Sequence, residues 1–269
     1  RWLHMAGFSL QPSEFLKPFI VIIFSYFLTS TKNFNLFRFN FNGNAIAFIL
    51  LFLTSILILA QPNYSMFAII SLVFISQFFI SGANLKWSII TGLSIMALSI
   101  FSYFSISHVK YRIDSFLNPD IVHFQLDKSI KAYKSGGLLG RGPGEGVIKK
   151  NIPDSHTDFI FPVIAEEYGS IVCIMIVLIA FTIFFRGLFR INKSKSLFKI
   201  TASVGLLTLF LIQALINIAV SMKLIPTTGV TFPFISYGGS SLISMGIVMG
   251  MMLSLTKKEF GKKGVIYGY

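Results

Sequence analysis

Charge is missing from this chain in blocks. No Asp, Glu, Lys or Arg occurs in the 47 residues between Arg38 and Lys86, the 23 between Lys86 and Lys110, or the 18 between Glu167 and Arg186. The same holds for the 23 residues between Lys199 and Lys223 and the 33 between Lys223 and Lys257. A helix needs about 20 apolar residues to cross a hydrocarbon core roughly 30 Å thick, so each block has room for about one or two spans. Charged residues make up 12% of the chain, about half the usual share of a soluble domain, and 30 phenylalanines add more apolar surface than one aqueous core can hide. The pattern predicts an all-α integral membrane protein with about seven transmembrane helices. They cover roughly 15–31, 43–60, 64–82, 87–107, 159–185, 200–222 and 238–256, with one long extracytoplasmic loop between the fourth and fifth.

Orientation follows from Lys and Arg in the short connections. One set of alternating loops and tails carries twelve: Lys32, Arg38, Lys86, Arg186, Arg190, Lys193, Lys195, Lys199, Lys257, Lys258, Lys262 and Lys263. That side is expected to be cytoplasmic. Most of the net charge of +13 is then topological, and no basic stripe with interleaved aromatics speaks for nucleic acid. The connection 108–158 is the exception, with eight basic and six acidic residues facing outward in one membrane body, 1–269. Helix connections of this length are uncommon unless they have work to do. The lone Cys173 excludes an intrachain disulfide and a cysteine metal cluster, and His4, His108, His123 and His156 lack metal-ligand spacing.

Three stretches could carry chemistry. In Gln11-Pro12-Ser13-Glu14-Phe15-Leu16-Lys17, Ser13 can cap the following helix, and Glu14 and Lys17 share a helical face at the membrane edge. Such groups pair with each other or line a wet cavity; the plainer alternative is that Lys17 snorkels to the interface and Glu14 serves the helix terminus. In Asn151 to Phe159, Asp158 is the last charge before the fifth span, with His156 and Thr157 beside it. A carboxylate partly withdrawn from water is a candidate general base; the plainer alternative is a helix cap. Glu166 and Glu167 follow among apolar neighbours, where a carboxylate is costly unless paired, so at least one is expected to face the interior. In Ile225 to Ser241, two prolines and three glycines break regular helix, and Ser236, Tyr237, Gly238, Gly239, Ser240 and Ser241 either line a pocket or let helices pack closely. The glycine-rich Ser135 to Gly146 lacks the Lys-Ser/Thr of a phosphate loop and is expected to be a flexible loop.

Taken together, these stretches resemble the SEDS family (shape, elongation, division and sporulation). The resemblance runs in order through Arg1-Trp2, Gln11 to Lys17, Ala60-Gln61-Pro62, Phe116 to Pro119, Gly136-Gly137-Leu138, His156 to Phe161, Ala165-Glu166-Glu167-Tyr168-Gly169 and Pro233 to Ser241. Gly229 to Pro233 and Gly142 to Gly146 look more like its cell-division branch (FtsW-type) than its elongation branch.

The resemblance implies a peptidoglycan glycosyltransferase of the bacterial inner membrane, at the division site, that polymerises lipid II beside a class B penicillin-binding protein and other divisome membrane proteins. It implies three further spans ahead of Arg1. Carried over, the family's essential loop aspartate falls on Asp158 and its paired glutamate and lysine on Glu14 and Lys17. Its serine-tyrosine-glycine motif falls on Ser236 to Ser240. Asp158 would take the proton of the acceptor hydroxyl, Lys17 and Arg1 would stabilise the departing pyrophosphate, and a divalent cation such as Mg could assist there. His156 and Thr157 would contact substrate. Two rivals remain open: a flippase for the same lipid, and a scaffold for the transpeptidase.

Overall fold

The computed structural model describes residues 3–5, 8–31, 33–36, 39–61, 63–83, 85–118, 124–192 and 194–257. A helix lies at each of the seven apolar segments: α1 (Pro12–Thr29), α2 (Gly43–Ala60), α3 (Tyr64–Ile80), α4 (Leu85–Ser105), α7 (Ile160–Ile191), α8 (Leu197–Ser221) and α9 (Gly239–Leu255). Five are long and apolar enough to cross a membrane, while α3 and α9, with 17 residues each, are shorter. The connection after α4 contains α5 (Ser107–Leu117), α6 (Phe124–Gly136) and a 3-10 turn at Ile148–Asn151, helices that its mixed charge did not announce. Two antiparallel hairpins were likewise unexpected: β1 (Leu3–Met5) with β2 (Phe8–Leu10), and β3 (Asn33–Leu36) with β4 (Phe39–Asn42).

The centre of the bundle is α8, two thirds of whose apolar length is enclosed by other helices. Val21 of α1, Ile69 and Val73 of α3, Leu206, Leu207 and Leu209 of α8, and Met245 and Val248 of α9 form one core. A second, aromatic core joins α1, α2 and α3, where Phe24 meets the Phe74 ring edge-on at 4.9 Å between centroids. Helix α1 starts with Pro12 in its first turn, where a missing N–H costs nothing. Its N-cap is Gln11, and Ser13 lies inside the helix accepting from Gln11 Nε2 at 3.1 Å, so the expected serine cap is not formed. Pro18 lies further in and cannot donate to the carbonyl of Glu14 four residues back. Ser244 of α9 donates to that carbonyl instead, at 2.6 Å.

Helix α7 is broken at Gly169 (φ 82°, ψ 173°), outside the helical region. The stretch beyond Gly169 is by itself of about membrane-spanning length, which leaves Glu166 and Glu167 on a short stub at the end of α7 that meets the long connection. Residues 137–142 pair with the break: Arg141 N–H donates to Glu166 O, Gly142 to Glu167 O, and Ser170 to Gly137 O, at 2.9 to 3.0 Å. The backbones approach so closely that a Cβ on Gly140 would lie 2.2 Å from Glu167 O, at a φ of +82° that disfavours any side chain. The glycine-rich stretch is therefore not a free loop; its glycines are what let it lie against α7.

Candidate functional site

Two polar clusters meet on α8. In the first, Lys17 is 1% exposed and its ammonium donates to Glu14 Oε2 at 2.5 Å and to Gln213 Oε1 at 2.9 Å. Glu14, partly open to solvent, is the member of the pair that reaches the surface. The Gln213 amide donates onward to the Thr231 carbonyl at 3.3 Å, and the Thr231 and Ser241 hydroxyls bond at 2.6 Å. Gln11 N–H donates to Ser240 Oγ at 3.1 Å, which closes the ring of α1, α8, the 225–238 segment and α9. Of the alternatives for this stretch, the buried pair is what forms: Lys17 does not extend toward an interface.

The second cluster surrounds Asp158. Residues 154–158 fold as a turn in which Thr157 and Phe159 N–H both donate to Asp154 O, with Asp154 itself at φ 56°. Helix α7 has Phe159 at its N-cap position and no side-chain cap bond, so Asp158 does not cap it. Burial pushes the Asp158 carboxyl up to about 6; the charge of Asp154 adds to this, and the Arg112 guanidinium opposes it. Asn217 holds the turn from α8 by donating to Asp158 O at 2.9 Å and to Val230 O at 2.7 Å. Tyr237 N–H donates to His156 O at 2.8 Å, and the exposed His156 and Tyr237 rings meet edge to face. Thr157 Oγ1 donates within its turn to Asp154 O.

The remaining expected residues are placed as follows. Ser236 Oγ accepts from Phe232 N–H at 2.7 Å and so shapes the bend before α9. Gly238 and Gly239 open α9, and Gly229 (φ 69°) faces Asp158, its would-be Cβ 3.5 Å from Oδ2. Glu166 is wholly buried, and its carboxylate accepts the N–H groups of Val147, Ile148 and Lys149 at 2.8 to 2.9 Å. Glu167 pairs with the Lys149 ammonium. Both glutamates therefore hold the long connection to the α7 stub. Arg1 lies outside the described residues.

Sequence reasoning passed over three contributors. Gln213 and Asn217 sit one turn apart in the charge-free block 200–222, and uncharged amides in an apolar span were the available signal. Arg112, which donates to Thr227 O at 3.1 Å, was hidden among the mixed charges of the long connection. Among the described residues no three His, Cys, Asp or Glu side chains come together.

The family described as "Cell cycle protein" (FTSW_RODA_SPOVE) matches residues 1–260. The chain is 43% identical over 268 residues to "Probable peptidoglycan glycosyltransferase FtsW" of Caulobacter vibrioides, covering 98% of itself and 67% of that protein. It is 33% identical to "Stage V sporulation protein E" of Bacillus subtilis, covering 95% of itself and 71% of the relative. It thus spans about two thirds of the length of these relatives. Its fold matches a chain of a solved peptidoglycan synthase complex that couples polymerization and crosslinking, with a TM-score of 0.75 at 20% identity over 95% of this chain and 72% of that one. Thermus thermophilus RodA gives a TM-score of 0.64 at 20% identity, covering 95% and 68%. The ordered motifs, the multi-pass helical fold and these matches agree: the chain belongs to the FtsW/RodA/SpoVE family of cell cycle proteins.

Proposed function

We propose that the chain forms the membrane body of a peptidoglycan glycosyltransferase that polymerises lipid II during cell division. The observation that carries this reading is Asp158, a carboxyl half-withdrawn from water at the end of the long connection and held up to about 6, close to the working pH that suits a general base. The acceptor sugar hydroxyl attacks the anomeric carbon of the lipid-linked donor as its proton passes to Asp158. A new C–O bond forms, the bond to the pyrophosphate breaks, and the lipid pyrophosphate leaves with the electron pair. Lys17, enclosed by Glu14 and Gln213, reaches a pyrophosphate only by exchanging one of them, and its ammonium then faces the departing charge. His156 and Thr157, with the segment Ser236, Tyr237, Gly238, Gly239 and Ser240, line the substrate path. Among the described residues no carboxylates cluster to hold a divalent cation, and no step here is routed through one.

In this reading the chain is one polytopic domain, 1–269, that crosses the bacterial plasma membrane seven times, with 108–158 as its extracytoplasmic loop. The partner is a class B penicillin-binding protein, a transpeptidase. The fold match to a synthase complex that couples polymerization to crosslinking supports that pairing.

Full-length protein, reconstituted with its transpeptidase and lipid II, is expected to yield glycan strands. Movement of the lipid between leaflets with no polymer would instead make it a transporter. Within that assay, Lys17→Met is expected to abolish polymer and to lower stability by about 3 kcal/mol, because Glu14 loses its buried cation. Adding Glu14→Gln should recover most of the melting temperature in detergent without recovering polymer. Recovery of both would reduce the pair to a structural role.

A further inference from the structure

Three polar residues recur on α8 at one-turn spacing, and each ties the helix to a different part of the site. Gln213 bridges Lys17 and Thr231. Asn217 bridges Asp158 and Val230. Ser221 receives α6 through Ser129 Oγ, which donates to its carbonyl, and through the Tyr133 hydroxyl, 2.8 Å from its Oγ.

The middle residue is the unusual one. Asn217 is 1% exposed, and its amide nitrogen serves two main-chain carbonyls from segments 72 residues apart in sequence, while its Oδ1 is enclosed with no partner among the described residues. A leucine of similar size would fill that place without burying an unsatisfied acceptor. What the amide supplies and leucine cannot is a fixed separation between the Asp158 turn and the 229–231 segment. Gly229, at φ 69°, brings its backbone against the Asp158 carboxylate on the same side.

We infer that Asn217 is a positioning residue for Asp158: its amide clamps the Asp158 turn to the 229–231 segment and so fixes how the base faces the acceptor sugar. This rests on the glycosyltransferase reading for its catalytic meaning, though the clamp itself can be tested without it. The charges that act on Asp158 among the described residues are Asp154 in its own turn and Arg112 from α5; Asn217 and the 229–231 segment contribute none. Releasing the turn lets water reach the carboxylate.

The test uses the full-length protein in detergent with a water-soluble carbodiimide, which labels protonated carboxyls; labelling of Asp158 is read by mass spectrometry across pH. Wild type is expected to show a midpoint near 6. Asn217→Leu is expected to shift it down by about one unit, toward ordinary carboxylates. Asn217→Ser, too short to reach both carbonyls, should do the same and serves if the leucine variant does not fold. Asn217→Gln, which keeps both donors, should restore most of the midpoint. In polymerisation, Asn217→Leu should lose about 10- to 100-fold in kcat with little change in KM, as for a misplaced catalytic group. A midpoint that stays at the wild-type value in both the leucine and serine variants, whatever happens to melting temperature, overturns the inference. Wild type that makes no polymer overturns the glycosyltransferase reading, and the labelling midpoints still decide the clamp.

Discussion

An Asp158→Asn protein is expected to polymerise lipid II about 10²- to 10⁴-fold more slowly than wild type, the range that a positioned general base typically contributes. The asparagine keeps the shape of the side chain, and the tie from Asn217 goes to the main-chain carbonyl of residue 158, so the turn should persist. Loss of rate without loss of melting temperature would therefore isolate the proton transfer. The pH dependence gives the sign. Burial raises this carboxyl, so it is protonated and unable to accept a proton below about 6 and ionised above it. Wild-type kcat should rise through an acid limb centred near that value, and the residual rate of Asp158→Asn should lack the limb. Removing the opposing Arg112 charge, as in Arg112→Met, should move the limb to higher pH. An acid limb that survives in Asp158→Asn would assign the base to another group.

The second large effect is expected at Glu166. Glu166→Ala strips the acceptor from three backbone N–H groups at Val147, Ile148 and Lys149, which are otherwise turned toward the interior. Donors left unpaired away from water cost up to about 1–3 kcal/mol each; these three are only partly buried, but bonds to a charged acceptor are the stronger kind. A loss of about 3 kcal/mol or more is expected, read as a large drop in melting temperature in detergent. The damage should be local at first. The 3-10 turn at Ile148–Asn151 leads to Ile152, which packs against Leu126, Phe159 and Val220 below the Asp158 turn, so protease cutting between 141 and 153 should rise before the bundle melts. Glu167→Gln, which removes only the partly exposed pairing with Lys149, should cost about 1 kcal/mol or less. Equal stability of Glu166→Ala and Glu167→Gln would mean that the carboxylate does not anchor the connection.

How much of this could be read from the residues depends on the kind of signal. The seven apolar segments follow from where charge is absent, and helices lie at each, with ends shifted by a few residues. The fifth shifted most: it runs to Ile191 and breaks at Gly169, because a break made by a glycine pairing with a distant loop has no local periodicity to betray it. Glu14, Lys17 and Asp158 were legible because a charge at the membrane edge demands a reason. Glu166 was legible as buried but not for its purpose, since its three partners are main-chain groups and any sequence there supplies them. Gln213 and Asn217 were overlooked because they carry no charge and so did not interrupt the block that marked the helix. Helices α5 and α6 are short and mixed in charge, and their packing decides them more than their composition does.

Pro18 gives the bundle a mechanical property. By leaving the Glu14 carbonyl without its own helix's donor, it hands that bond to Ser244, and Ser240 takes Gln11 N–H one turn earlier on α9. Two rivets now join α1 to α9, at least one of them through a group that hydrocarbon cannot solvate. Sliding one helix past the other by a single residue would strand a carbonyl in an apolar surrounding. The pair therefore moves as one stave, carrying Glu14 and Lys17 with it, and any opening of the bundle must pivot against that stave rather than within it.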